Sequence, residues 1–583
     1  MISKHLLANW RACGRLTIVT IWMIAVSQTS VLHAADNAPM PLDMQGFIDQ
    51  AIASGQHNIV VPPGRYRVTP RNGVHLALKN LHDIQIIADG VEMVCTQTTL
   101  AIATDRCHNL TLRGLTIDYD PLPFTEGRIT AVAPDHSWLE FAVADGYPDQ
   151  KLVARVEIYD SLTHLLKTPT YFGWQAFVAL GNHRYRIGRQ ADYRYNSETD
   201  IEAVGDILVT NNSFAPDGES AHAVLTTNCS NVRFENVTLY ASNCFGFLED
   251  SCDSTVYQRC RIDRCPPERD LVPRALPRLR SLDADAFHSA NAFRGPAIVQ
   301  CTAKFQGDDC VNIHGEYYFV TTTDGPTLRV LATNEIKIAP GDPVELLTYQ
   351  GIRPPDARAV SLATDGQITA AERAFIIRQP MDAGIRTRGL THAYRLTLDR
   401  AVVLPEGSLV CSGNRVGNGF RVEGCDFGFN RSRGILIKAS DGTVIDNHIT
   451  GSWLSGILVT PEFWWLEAAS SNHLTIRGNM IADCRDVAIN VTAAGGTGKL
   501  APAGAHMNIT IANNTIRGSP LPNIVITSTD GLSLSGNTCT AFAPGRASGA
   551  PNDPSLPKGP LPAVMTPQCK HVSGEVAVPE PAH

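Results

Sequence analysis

The sequence predicts an all-β protein, a right-handed parallel β-helix carrying two small β-barrel-like insertions. Two observations point there. The first is a loose internal repeat: FRVEGCDFGF (420–429), TVIDNHITGS (443–452), LTIRGNMIAD (474–483), ITIANNTIRG (509–518) and LSLSGNTCTA (532–541) share one pattern. Each is a short alternating strand, a polar or glycine break, then Asn or Cys followed two residues later by an apolar side chain. A second strand often follows, as in GILIK at 434 and GILVT at 456, which are 22 residues apart. Short β-branched strands at a period in the twenties suit stacked coils. A β-sandwich would need NG or DG hairpin turns between strands, and these are sparse. The second observation is that two segments, 119–205 and 317–411, break the repeat and alternate apolar and polar residues between turns, as small antiparallel sheets do.

The elements follow in order. Residues 1–35 read as a secretory leader: Lys4, Arg11 and Arg15 precede the apolar run LTIVTIWMIAV (16–26), and Ala34 and Ala35 offer a cleavage site. The run is short for a membrane span, so the expected location is secreted or periplasmic, with no span after cleavage. Residues 36–118 hold a capping helix within MQGFIDQAIASGQ and the first coils. Insertion 119–205, coils 206–316, insertion 317–411 and coils 412–542 come next, and 543–583 reads as a proline-rich tail. Asn447, Asn479, Asn514 and Asn537 recur at one turn position and are expected to hydrogen-bond along the stack rather than to catalyse.

Composition narrows the function. With 44% hydrophobic residues, 18% charged and a net charge of -8, the chain has no basic stripe, and no nucleic-acid partner is expected. The 15 cysteines mostly sit in apolar strand-like segments and include no CxxC pair, so buried thiols are expected, one or two disulfides being the alternative.

Chemistry gathers in KFQGDDCVNIHG (304–315). Asp308 lies 23 residues after Asp285 of LDADAFHSANAFRG (282–295), close to one coil. Residues one coil apart stack at about 4.8 Å, which places Asp285 beside the Asp308–Asp309 pair. Outward-facing, the three would repel one another and raise at least one pKa, as a general acid beside a general base requires. Glycoside hydrolysis uses such a set. A bare GDD is also a common turn, and clustered carboxylates also suit calcium; a calcium-dependent lyase would then use Arg433 or Lys438 as its base. Around the carboxylates, His288, Asn312 and His314 are candidate hydroxyl ligands, and Lys438 at the end of RGILIK is a candidate ligand for a hydroxyl or a carboxylate. PEFWWLE adds Glu462, Trp464, Trp465 and Glu467, of which Glu462 and Trp464 are the binding candidates, the tryptophan stacking on a sugar face.

The pair DADAFH…FQGDDCVNIHG resembles the signature of glycoside hydrolase family 110, the exo-acting α-1,3-galactosidases, and the layout of a β-helix with two barrel insertions is similar too, over roughly 40–540. The resemblance implies inversion, release of terminal α-linked galactose from blood-group-B-type or linear α-1,3-galactosyl glycans, and Asp285, Asp308 and Asp309 as catalytic carboxylates. It implies no metal and no cofactor. The expected partner is a carbohydrate with terminal α-galactose, a homodimer being left open. A more distant likeness to polygalacturonases assigns Asp308 as acid, with Asp285 and Asp309 on the water. GDDC is present and RGILIK partly echoes that family's RIK stretch, but its separate GHG turn is missing, leaving polygalacturonase the alternative. A non-catalytic glycan-binding solenoid is the reading from another class.

Overall fold

Each coil turns where its polar or glycine break falls. Asn236, Gln300, Gly424, Asp446, Gly478, Asn513 and Gly536 all take positive φ, between 51° and 63° for most and 69° at Gly478. Glycine and asparagine enter that region at least cost, which is why they recur there. The computed structural model describes residues 40–168, 173–197, 199–212, 221–550 and 561–577; the expected leader lies outside them. Among the described residues no helix is long and apolar enough to cross a membrane.

The strands on either side of each bend build one 23-stranded sheet, and the third strand of each coil joins a 12-stranded sheet facing it. Both stack in parallel across the coils, with Phe287 opposite Val311, Val311 opposite Ile435 and Ile435 opposite Ile457. The inward residues form one continuous core along the solenoid. Aromatic rings pile up in it: Phe247 lies on Phe287 at 5.3 Å and Phe234 on Tyr257 at 5.6 Å, both pairs stacked.

The residue after the bend makes a second column. It runs Cys260, Cys301 and Cys425, then Asn447, Asn479, Asn514 and Asn537, all nearly inaccessible to solvent. Each asparagine Oδ1 accepts from the backbone N–H and Nδ2 of the one before: Asn479 from Asn447 at 3.0 and 2.9 Å, Asn514 from Asn479 at 3.0 and 2.9 Å, Asn537 from Asn514 at 3.0 and 2.9 Å. The structural reading of these asparagines therefore holds. The cysteines of the described chain are all unpaired, and all but Cys244 and Cys569 are buried.

Helix Met44–Ala53 closes the first coil, capped by the Asp43 carboxylate, with Met44, Ile48 and Ala51 turned inward. The first insertion is a seven-stranded antiparallel sheet, and the second closes into a six-stranded barrel. The first extends past residue 205, because Ile207–Asn212 is an interior strand paired with both Phe124–Val132 and Leu152–Tyr159. The region after 543 is not all tail: Val564–Met565 and Lys570–Ala577 each add a further strand to the two solenoid sheets. Its proline content hid a stretch, KHVSGEVA, that alternates enough to pair.

Candidate active site

The site is assembled from the turns that enter one sheet in successive coils. Asp283 and Asp285 precede Phe287–Ala290, Asp308 and Asp309 precede Val311–Glu316, and Arg431 and Arg433 precede Ile435–Ile437. The pairing Phe287↔Val311 is an offset of 24 residues, so Asp285 stacks on Asp309, with Asp308 one position earlier. Backbone amides lock the stack: Asp309 N–H donates to Asp285 Oδ1 at 3.1 Å, and Arg433 N–H donates to Asp309 Oδ1 at 2.7 Å. One carboxylate oxygen from each of Asp285, Asp308 and Asp309 falls within 4.8 Å of the others. They line a cleft of about 580 Å³ with Arg155, Phe245, His288, Asn312, Glu462, Trp465 and Glu467. A hollow of about 610 Å³ elsewhere, around Asp253, Arg294 and Arg415, contains no such cluster.

The carboxylates differ in setting. Asp285 and Asp309 are 4% and 2% exposed. Burial, more than mutual repulsion, pushes the pKa of Asp285 well up, with the charge of Asp308 adding to it; burial does the same for Asp309 against the opposing charge of Arg433. Asp308 is more open, with 34% of its side chain exposed, and pairs with Arg431 at 2.8 Å.

A histidine chain stands behind Asp285. His314 Nδ1 lies 2.7 Å from the Gly315 carbonyl, which only accepts, so that nitrogen carries the hydrogen. Burial lowers His288 and His314 to about 4, leaving both rings neutral near pH 7. His314 Nε2 is then bare and accepts from His288 Nε2 at 2.9 Å. His288 Nδ1 is bare in turn, and the Asp285 oxygen 2.7 Å from it must supply the hydrogen. The Asp285–His288 contact thus holds a proton. Phe245 fixes the His288 ring by stacking on it at 4.3 Å.

PEFWWLE forms a hairpin. Glu462 and Glu467 exchange backbone hydrogen bonds at its neck, 3.0 and 3.1 Å, so their side chains share one face. Two carboxylates so placed would repel; Lys438, fully buried, sits between them at 3.0 Å from Glu462 and 2.8 Å from Glu467. Burial pulls the lysine pKa down, but the two glutamates more than offset it, and it ends above its ordinary value. Glu467 is held low despite burial by charge from His314 and Lys438, and with His314 neutral near pH 7 the lysine is the partner that counts there. The hairpin leans on the barrel, with Phe463 edge-on to Tyr349 at 5.8 Å and the Asp382 N–H donating to the Trp464 carbonyl at 3.0 Å.

Of the residues expected from sequence, Asp285, Asp308, Asp309, His288, Asn312 and Glu462 line the cleft, and His314 stands one hydrogen bond behind it. Two expectations are corrected. Lys438 is an internal anchor rather than a ligand, since none of its side chain is exposed and it donates to Asn312 Oδ1 at 3.1 Å. Trp465, not Trp464, walls the cleft, with the Trp464 ring edge-on to it at 6.5 Å. Arg431, Arg155 and Phe245 were not anticipated. Arg431 was signalled by its i, i+2 spacing from Arg433; Arg155 comes from the first insertion, where no repeat marks it. The three carboxylate oxygens are spaced closely enough for a cation, but Arg431 and Arg433 already supply positive charge, and calcium takes about 6–8 oxygens.

A family model described as the right handed beta helix region matches residues 406–539. Alpha-1,3-galactosidase B of Bacteroides thetaiotaomicron is 21% identical over 90% of this chain and 88% of its own. Alpha-1,3-galactosidase A of Shewanella woodyi is 20% identical over 80% of this chain and 74% of its own. Among solved structures, the A-module of mannuronan C-5 epimerase AlgE6 from Azotobacter vinelandii matches with a TM-score of 0.41 at 12% identity, covering 93% of this chain and 98% of that one. The chain is a right-handed parallel β-helix protein, similar along most of its length to proteins named α-1,3-galactosidases.

Proposed function

We propose that this chain is a glycoside hydrolase, an exo-acting inverting enzyme that removes terminal α-1,3-linked galactose from blood-group-B-type or linear α-1,3-galactosyl glycans outside the cytoplasm. The observation that carries the reading is the carboxylate cluster of Asp285, Asp308 and Asp309 in a cleft walled by Trp465 and Phe245. The similarity to α-1,3-galactosidases supports the choice of sugar. One chain contains the whole cluster, so no second copy is invoked.

Asp308, the most exposed of the three, protonates the leaving oxygen as its bond to C1 breaks. Arg431 holds Asp308 as an ion pair; the entering leaving sugar displaces that contact, and Asp308 takes up from solvent the proton that it then donates. A water held between the deep carboxylates attacks C1 from the other face and gives its proton to Asp309. Two oxygens within 4.8 Å can share one water at ordinary hydrogen-bond distances of about 2.7 Å. Asp285 positions that water while its own proton stays on the contact with His288. The oxygens lie closer than the roughly 6.5–9.5 Å between carboxyl groups of most inverting enzymes, so the anomer of the first product decides the stereochemistry.

The test follows galactose release from a linear α-1,3-galactosyl disaccharide by proton NMR, with wild type and Asp308→Asn. β-Galactose appearing first, and a variant at least about 10³-fold slower, is the expected result. α-Galactose first would replace inversion by retention, and no release from any α-galactoside would end the galactosidase reading.

A further inference from the structure

The cleft has four cations around it, each facing at least one carboxylate. Lys438 donates to Asn312 and is ion-paired with both Glu462 and Glu467. Arg433 faces Asp309 at 3.3 Å and Glu462 at 3.4 Å, Arg431 faces Asp308 at 2.8 Å and Glu157 at 3.4 Å, and Arg155 faces Asp283 at 3.4 Å. None of the Lys438 side chain is exposed, so it is lost to recognition. What the hairpin neck presents instead is oxygen from two carboxylates ion-paired with Lys438, each with 19% of its side chain exposed.

From this we infer that Glu462 and Glu467 are the specificity-determining pair, which turns a lysine able to bind a sugar carboxylate into the buried anchor of a wall that accepts sugar hydroxyls and repels uronates. A hexose hydroxyl donates to such a wall, and a fixed pair of acceptors favours a ring offering two donors side by side. A uronate brings a third negative charge beside two that are already held in place, with Lys438 buried and out of its reach. The neck spacing makes this a built arrangement: the backbone exchange between Glu462 and Glu467 puts both carboxylates on Lys438 at once, which one glutamate could not do. The inference rests on the reading of the cleft as a sugar site and adds how that site tells neutral from acidic sugars.

The experiment measures binding of galactose and of galacturonic acid by titration calorimetry to wild type, to Glu462→Gln/Glu467→Gln, and to that double variant with Lys438→Met added. Wild type is expected to prefer galactose at least about 100-fold. The double variant should gain galacturonate affinity in absolute terms, cutting the preference at least about 10-fold, and Lys438→Met should remove the gain. If the double variant does not fold, as judged by circular dichroism, Glu467→Gln alone removes one of the two negative charges and is expected to show a smaller gain of the same sign. Galacturonate binding to wild type as tightly as galactose, or no gain in whichever variant folds, overturns the inference. Galactose binding without hydrolysis of any α-galactoside would instead count against the proposed reaction and leave this selectivity intact. Wild type binding neither sugar would overturn both.

Discussion

Replacing Asn479 with alanine removes a side chain that ties three coils together. Its Oδ1 accepts from the N–H and Nδ2 of Asn447, and its Nδ2 donates to Asn514 Oδ1 at 2.9 Å and to the Val444 carbonyl at 3.0 Å. Four hydrogen bonds go at once, in a place solvent does not reach. At a net of about 1 kcal/mol each, the loss is about 4 kcal/mol. Asn537, at the end of the ladder, makes three such bonds, so Asn537→Ala should cost about 3 kcal/mol. Urea unfolding followed by circular dichroism, with tryptophan fluorescence as a second probe, reads the difference. If Asn479→Ala lies within 1 kcal/mol of wild type, roughly the worth of one bond, the ladder merely fills space and the reasoning about coil cohesion fails.

Trp465→Ala should raise KM for the disaccharide about 10-fold or more through loss of a stacking wall, while Trp464→Ala leaves it within about 2-fold; steady-state kinetics of both variants decide. Glu126, fully buried, is raised to about 7 by burial. A carboxyl raised in the fold stabilises below its unfolded pKa near 4.5, and that stabilisation disappears as pH rises through 7. Glu126→Gln should therefore match wild type near pH 4 and exceed it by up to ~3 kcal/mol at pH 8, measured by denaturant midpoints at both values. Prolonged dialysis against EDTA should leave the rate of galactose release unchanged, and a loss restored by calcium would revive the calcium-dependent reading.

The coils were legible because their bends demand residues that tolerate positive φ and because the asparagine after the bend repeats. The carboxylate cluster was legible for the same reason, though one residue off: counting 23 placed Asp285 against Asp308, whereas the strand register carries it to Asp309. What escaped was whatever approached from outside the period. Arg155 stands on an inserted sheet, and nothing in its neighbourhood relates its number to a coil. Trp464 and Trp465 could not be told apart, since a hairpin tip has no phase in the sequence. Lys438 reads as a candidate ligand in the sequence because the two glutamates that pair with it come from a loop whose course only the fold reveals.

The two insertions leave the solenoid at different coils yet converge on one cleft. The sheet beginning at Phe124 brings Arg155 and Glu157 against Asp283 and Arg431, and the barrel beginning at Tyr318 props the hairpin that carries Trp465. The three carboxylates therefore belong to the stack, while the cleft's edges are tenants of two separately folded annexes. A chain built this way can exchange its clientele by remodelling an annex, while the coil backbone that carries the three carboxylates stays in place.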